Sequence, residues 1–368
     1  MAPTLLPPTD NPLLQSIRQE ATMLAKSANA TSTNATSATA VRSFLIFLEA
    51  TGQRRQVDRD GITDQQLSEY CTLAVRNNSL TYKTLRNYIS MGVRVYHLER
   101  NLQWTPISER YEVLKTLKAI RRALGDVTTP VLAITLPILG DIINAINSQT
   151  PCGACLAAAW SCAFFLILRK GNIVSAKDDA TNSRQPIKRK HLTWDGERFW
   201  IKLVHTKTIQ YGEREIMLPV PYFPETPEIC PTFLLNRHLT INKVNPEDNL
   251  FSYSNKPLSY TVLLTQFKWA LKRCGIDHTK YAGHSFRRGG ATWMFSVLKL
   301  PSELIRILGD WKSQAYLLYT TVTDSLKLDA INAMQTAVAC NQLGDRIAAS
   351  TGGNVGALVL WNPNSPEQ

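Results

Sequence analysis

The segment Gly283-His284-Ser285-Phe286-Arg287-Arg288-Gly289-Gly290-Ala291-Thr292 opens with a histidine and an arginine three residues apart. The pattern from His284 to Lys299 predicts a helix, and on a helix residues three apart share a face. An imidazole and a guanidinium placed that way can converge on one oxyanion. Arg288 points about 100° away, which suits a separate contact or a salt bridge. Taken alone the pair is weak, because a helix cap with a surface salt bridge uses the same residues.

The surroundings strengthen it. Downstream come Gly309-Asp310-Trp311-Lys312-Ser313 and then Ala315-Tyr316-Leu317-Leu318-Tyr319. Upstream, Leu166-Ile167-Leu168-Arg169-Lys170-Gly171-Asn172-Ile173 sets an arginine at the end of an apolar helix predicted over Ala154 to Lys170. Between these, Thr206-Lys207-Thr208 sits at the tip or edge of a predicted sheet. Its strands are read from LTW and RFWIKLV around the Asp195-Gly196 hairpin signal, with EREIMLPV as the third.

The chain has 368 residues, 44% of them hydrophobic, enough to bury two cores. Residues 1–40 are expected to form a tail, since the run SANATSTNATSATA from Ser27 lacks large side chains, although its alanines allow a frayed helix. Val41, Phe44, Leu45 and Leu48 start a helix that Gly52 ends. A second is signalled by a capping box, Thr63 with Gln66. From Ser79 to about Glu99, Leu85, Tyr88, Ile89, Val93 and Tyr96 form one side, with Lys83, Arg86, Asn87 and Arg94 elsewhere. A fourth helix spans Arg110 to Leu124, and Asp126 to Pro130 reads as a boundary. Beyond it helices are predicted at Leu136–Ile146, Leu258–Arg273, Ser302–Leu308 and Asp324–Cys340.

Lys and Arg number 41 against 29 Asp and Glu, a net charge of +12 that favours phosphate-rich partners. The seven cysteines form no disulfide framework, so a reducing compartment is expected. Cys152-Gly153-Ala154-Cys155 has no second pair to complete a metal site and leads into an apolar run, so its expected role is structural. MAPTLLPPTD lacks a secretory pattern, and the run Ala154 to Leu168 is shorter than the roughly 18 to 20 residues that span a bilayer. Neither secretion nor membrane insertion is expected.

In order, Arg, Lys, HxxR, Trp and Tyr resemble the signature of tyrosine recombinases and phage-type integrases over roughly residues 40 to 340. The wording GHSFRRGGAT and GDWKSxAYxxY is most similar to recombinases of Crypton- and DIRS-type mobile elements. The resemblance implies a mainly α, two-domain DNA clamp. An all-helical core-binding domain would occupy 41–125 and a linker 126–131. An α+β catalytic domain with a small antiparallel sheet would take 132–345, and a tail 346–368.

It also implies roles. Arg169 and Arg287 would bind the nonbridging oxygens of a DNA phosphate, as planar, always-charged forks do. Lys207 would protonate the departing 5′ oxygen, with Lys202 the neighbouring alternative. His284 would accept a proton or hydrogen-bond the phosphate, and Trp311 would donate its indole N–H. Tyr319, eight residues after Trp311, would be the nucleophile, with Tyr316 the alternative. Asn172 stands where many members carry a supporting acid.

Lys83, Arg86, Asn87, Arg94 and Arg288 resemble DNA-facing positions. The implied partner is double-stranded DNA, engaged by a homo-tetramer on paired sites, with no metal, ATP or other cofactor. A catalytically silent DNA-binding protein derived from such an element is the second reading. Lys188-Arg189-Lys190 suits either a nuclear signal or a DNA-backbone contact. The expected location is nuclear in a eukaryote and otherwise cytoplasmic, on DNA.

Overall fold

The structure, a computed structural model, describes residues 12–27, 31–78, 80–125, 131–174, 186–206, 208–209, 212–312, 317, 331–332 and 334–335. The chain divides into two compact units between Val131 and Leu132.

The described residues of the first unit are helical or in turns: α1 (Pro12–Ser27), α2 (Thr31–Ala50), α3 (Arg54–Asp60), α4 (Asp64–Asn78), α5 (Tyr82–Tyr88), a π-helical turn (Ile89–Val93), α6 (Arg94–Glu99) and α7 (Tyr111–Leu124). The capping box forms as expected, with the Thr63 N–H donating to Gln66 Oε1 at 3.0 Å and the Gln66 N–H to Thr63 Oγ1 at 3.2 Å. Phe44 is wholly buried, edge-on to Tyr70 at 5.3 Å and to Tyr96 at 5.2 Å. Burial of one such ring stabilises the unit by about 2–3 kcal/mol.

The expected N-terminal tail is corrected here, because residues 31–40 are the first half of α2. Their small side chains are what the packing requires. The Ser37 hydroxyl donates to the Met91 carbonyl at 2.6 Å, and a Cβ on Gly92 would lie 2.7 Å from the Ala40 carbonyl carbon. A stretch without large side chains has no core of its own, but it lets two helices approach backbone to backbone. His97 is buried behind this contact as a neutral ring, Nδ1 donating to the Val93 carbonyl (2.7 Å) and Nε2 accepting from the Ile62 N–H (3.0 Å).

The second unit is built on α9 (Pro151–Phe165), which follows α8 (Leu136–Asn144). Thr150 caps α9 by accepting from the Gly153 N–H at 3.1 Å, and Pro151 starts it. Apolar on all sides, α9 is buried along nearly its whole length, as such a helix must be. Burial pushes the thiols of Cys152 and Cys155 up, which makes them inert packing groups.

After α10 (Lys170–Ile173), β1 (Leu192–Trp194), β2 (Phe199–Leu203) and β3 (Ile216–Pro219) form an antiparallel sheet in that order, with Leu192 opposite Ile201 and Ile201 opposite Leu218. The Asp195 carboxylate closes the β1–β2 turn, accepting from the N–H groups of Glu197 and Arg198, both at 2.8 Å. Then come α11 (Pro231–Asn242), the short hairpin β4 (Ser252–Tyr253) and β5 (Lys256–Pro257), α12 (Tyr260–Arg273), α13 (His284–Ser296) and α14 (Ser302–Leu308). The fold is mainly α with one small antiparallel sheet.

α11 packs on α9 although its sequence carries no clear amphipathic stripe. Buried polar residues blur the pattern: Thr232 donates to the Pro221 carbonyl (2.9 Å), and His238 Nε2 to the Leu250 carbonyl (2.8 Å). α13 stops at Ser296, three residues short of its predicted end. Of the predicted helix Asp324 to Cys340, only residues 331, 332, 334 and 335 are described, and these are helical. Among the described residues no helix is long and apolar enough to cross a membrane.

Candidate active site

The helix predicted to run from Ala154 to Lys170 ends at Phe165, and the correction matters because the break builds the site. Ile167 has φ +42°, a strained conformation for a β-branched residue. Its carbonyl, which an unbroken helix would turn toward residue 171, instead accepts from Arg287 Nη1. Arg169 then caps α10: its N–H donates to Asn172 Oδ1 at 3.2 Å, and the Asn172 N–H donates back to the Arg169 carbonyl at 2.8 Å.

α13 reaches this break because Gly289 and Gly290 have no side chains. A Cβ on Gly290 would lie 2.0 Å from the Phe164 carbonyl oxygen, and one on Gly289 would lie 2.1 Å from that of Ile134. His284, the first residue of α13, is exposed, whereas Arg287 one turn later is buried. Arg287 donates to the carbonyls of Ile167 and Gly309, and its Cζ sits 3.9 Å from the centroid of the buried Trp311 ring. Such stacking on indole is favourable by about 1–2 kcal/mol when desolvated.

Between Gly309 and Trp311 stands Asp310, with φ +51° and a buried carboxylate. It accepts from Arg169 Nη1 at 2.9 Å and from the Thr206 hydroxyl at 2.7 Å, and also from the Thr208 hydroxyl and Arg214 Nη2. Its carbonyl takes a further bond from Arg169 Nη2. Burial pushes the carboxyl up, but the bonds from Thr208, Thr206 and Arg169, with the charge of Arg169, outweigh this and hold it below the ordinary value.

Thr206 and Thr208 flank Lys207. Asn172 adds a third tie to that loop by donating from Nδ2 to the His205 carbonyl at 3.3 Å. The structure thus gathers Arg169, Arg287 and Trp311 at Gly309–Trp311, with His284 exposed one turn along α13 from Arg287. Arg169 stays partly open to solvent, with 18% of its side chain accessible. The arrangement is a cluster of three arginines, Arg169, Arg214 and Arg287, around the Asp310 carboxylate and the Gly309 carbonyl, with Arg169 and Arg214 reaching the surface.

Lys207, Tyr316 and Tyr319 lie outside the described residues. Lys202, on β2, pairs with Glu215 at 2.7 Å. Lys188 and Lys190 both pair with Glu247, at 3.3 Å and 2.9 Å. Arg288 is half-buried on α13. Sequence reasoning missed Asp310 and Arg214 as members of the cluster; the one signal was a carboxylate between the glycine and the tryptophan of GDW.

In the first unit, Lys83, Arg86 and Asn87 line one groove of about 460 Å³ together with Ser90 and Arg121. Arg121 comes from α7, and its Cζ lies 5.5 Å from the centroid of the Tyr82 ring. Arg94 is exposed beyond the π-helical turn and does not line this groove.

These elements define the fold of tyrosine recombinases and integrases. Lambda integrase, as a dimer bound to a COC′ core site, matches with a TM-score of 0.53 and 14% identity, over 84% of this chain and 77% of that one. The XerH site-specific recombinase, in a post-cleavage complex on palindromic difH substrate, matches with a TM-score of 0.50 and 16% identity, over 75% and 71%. A lambda integrase tetramer bound to a Holliday junction gives 0.52 and 14% identity over 84% and 77%. No family model and no curated protein matches the chain.

Proposed function

We propose that this chain is a site-specific DNA recombinase that cuts and rejoins DNA through a 3′-phosphotyrosyl intermediate. The observation that carries the reading is the meeting, at Gly309–Trp311, of Arg169, Arg287 and the two threonines that flank Lys207. These residues are far apart in sequence, and a core alone has no need to bring them together.

Arg169 and Arg287 hold the nonbridging oxygens and stabilise the charge of the pentacoordinate phosphorus. A guanidinium has five N–H donors, and the two hydrogen bonds described for the partly exposed Arg169 leave others for phosphate. Trp311 fixes the plane of Arg287 by stacking and can donate its indole N–H. His284 reaches the phosphate from the exposed end of α13. Tyr319 attacks in line as its phenolic proton passes to His284, the P–O5′ bond breaks, and Lys207 gives its proton to the departing 5′ oxygen. The phosphoester bond energy is retained in the tyrosyl link, so a 5′-hydroxyl of another strand reverses the step without ATP.

The groove of Lys83, Arg86, Asn87 and Arg121, with Arg94 and Arg288 elsewhere, supplies contacts to duplex DNA. A homo-tetramer on paired sites is the working assembly, a reading supported by the Holliday-junction complex of a protein of like fold.

A nicked suicide substrate that loses its 5′-hydroxyl fragment after cleavage tests the proposal. The wild-type chain is expected to accumulate a covalent protein-DNA adduct, and Tyr319→Phe to form none. An adduct that persists in Tyr319→Phe removes Tyr319 from the mechanism. Salt-sensitive DNA binding with no cleavage at any element-end site points instead to the silent DNA-binding protein.

A further inference from the structure

We infer that Asp310 is a positioning residue that sets Arg169 and the loop carrying Lys207 on the scissile phosphate, an inference that rests on the recombinase reading above. A carboxylate inside a phosphate site calls for explanation, since it repels the substrate. The geometry supplies one. The Asp310 side chain is 3% accessible, and both its oxygens are occupied by protein donors. It faces inward and works on its neighbours.

Four side chains from three stretches of chain converge on that carboxylate. Arg169 comes from the break after α9, Thr206 and Thr208 from the loop after β2, and Arg214 from the approach to β3. Beside it Lys312 and Glu213 pair at 3.9 Å, tying the same two segments a second time. The Thr206 hydroxyl spends its single proton on Asp310 and accepts from the N–H groups of Thr208 and Ile209, both at 3.1 Å. Thr206 and Thr208, on either side of position 207, are thus both tied to Asp310.

The same carboxylate offsets the charges of Arg169 and Arg214, which would otherwise repel each other. Asn172, held by the backbone N–H of Arg169, has no negative charge to give. Among the described residues Asp310 is the carboxylate that grips the Arg169 guanidinium.

The test uses the full chain and a nicked suicide substrate, with the single-turnover rate of adduct formation measured apart from DNA affinity. Asp310→Asn keeps the shape and removes the charge. Its cleavage rate should fall about 100-fold, the size seen when one preorganised donor is lost, while DNA affinity stays within about threefold of wild type, because binding draws on the whole interface.

The two sites should also be coupled. In an Arg169→Ala background, Asp310→Asn should cost about tenfold, clearly less than its own loss of about 100-fold, since the part of its effect that runs through Arg169 is already lost and only the part through the 207 loop remains. Should Asp310→Asn fail to fold, Thr208→Val, which removes one donor to the carboxylate, carries the test with an expected loss of about tenfold. A wild-type adduct with Asp310→Asn cutting at the wild-type rate, or losses that multiply fully in the double variant, would overturn this inference alone. A wild-type chain that forms no adduct would overturn the recombinase reading and this inference with it.

Discussion

Gly290→Ala places a methyl group where α13 passes the end of α9. The new Cβ would stand 2.0 Å from the Phe164 carbonyl oxygen and 2.8 Å from Ile167 Cγ2. The first obstacle is backbone, which cannot swing aside as a side chain can. The cost therefore belongs at the upper end of the range for overpacked cores, about 3 kcal/mol. For a unit of this size each kcal/mol shifts the melting temperature by about 2–4 °C, so a fall of about 6–12 °C is expected.

Thermal unfolding followed by tryptophan fluorescence reads this, since Trp160 is wholly buried between Phe267 and Phe286. Gly171→Ala is the control, because nothing lies within 4 Å of a Cβ there and the residue is already helical in α10. It should leave stability unchanged or raise it slightly. The displaced α13 would also withdraw Arg287 from the Ile167 carbonyl, so cleavage should fall even below the melting temperature. A Gly290→Ala protein that melts within about 2 °C of the Gly171→Ala control would refute the close-approach argument.

Burial lowers the pKa of both His97 and His238, the larger cause in each being desolvation of the charged ring. Folding thus favours the neutral form, so this contribution is fully present above the unfolded pKa of about 6.5 and is lost as pH falls below it. Each ring costs up to about 1.4 kcal/mol per pH unit until its folded form also protonates. Urea unfolding from about pH 7.5 down to about pH 5 should show falling stability, and a flat profile would contradict two neutral buried imidazoles. On the groove of the first unit, Arg86→Ala should weaken DNA binding about equally across sequences and reduce the salt slope by about 0.9. Fluorescence anisotropy at several salt concentrations reads both, and an unaltered slope would take Arg86 off the phosphate backbone.

What could be read in advance was what depends on near neighbours. The Thr63–Gln66 box needs two residues three apart, and the Asp195-Gly196 turn needs one carboxylate and one glycine. His284 and Arg287 need only helical spacing. The break after Phe165 depends instead on Gly290 and Arg287, more than 120 positions away, and an apolar composition suits a helix and a buried bend alike. Residues 31–40 looked like a tail because small side chains signal no core, and the partner that makes them useful is Gly92. Asp310 stood in plain view, yet the arginine it grips is 141 residues distant.

Those separations order events during synthesis. The bond from Arg287 to the Ile167 carbonyl closes a loop of 120 residues and that from Arg169 to Asp310 one of 141, so they form late, after the local helices have settled. On the ribosome, α9 and the sheet emerge long before their partners at 309–311. A nascent chain interrupted ahead of Asp310 carries Arg169 with no carboxylate to orient it.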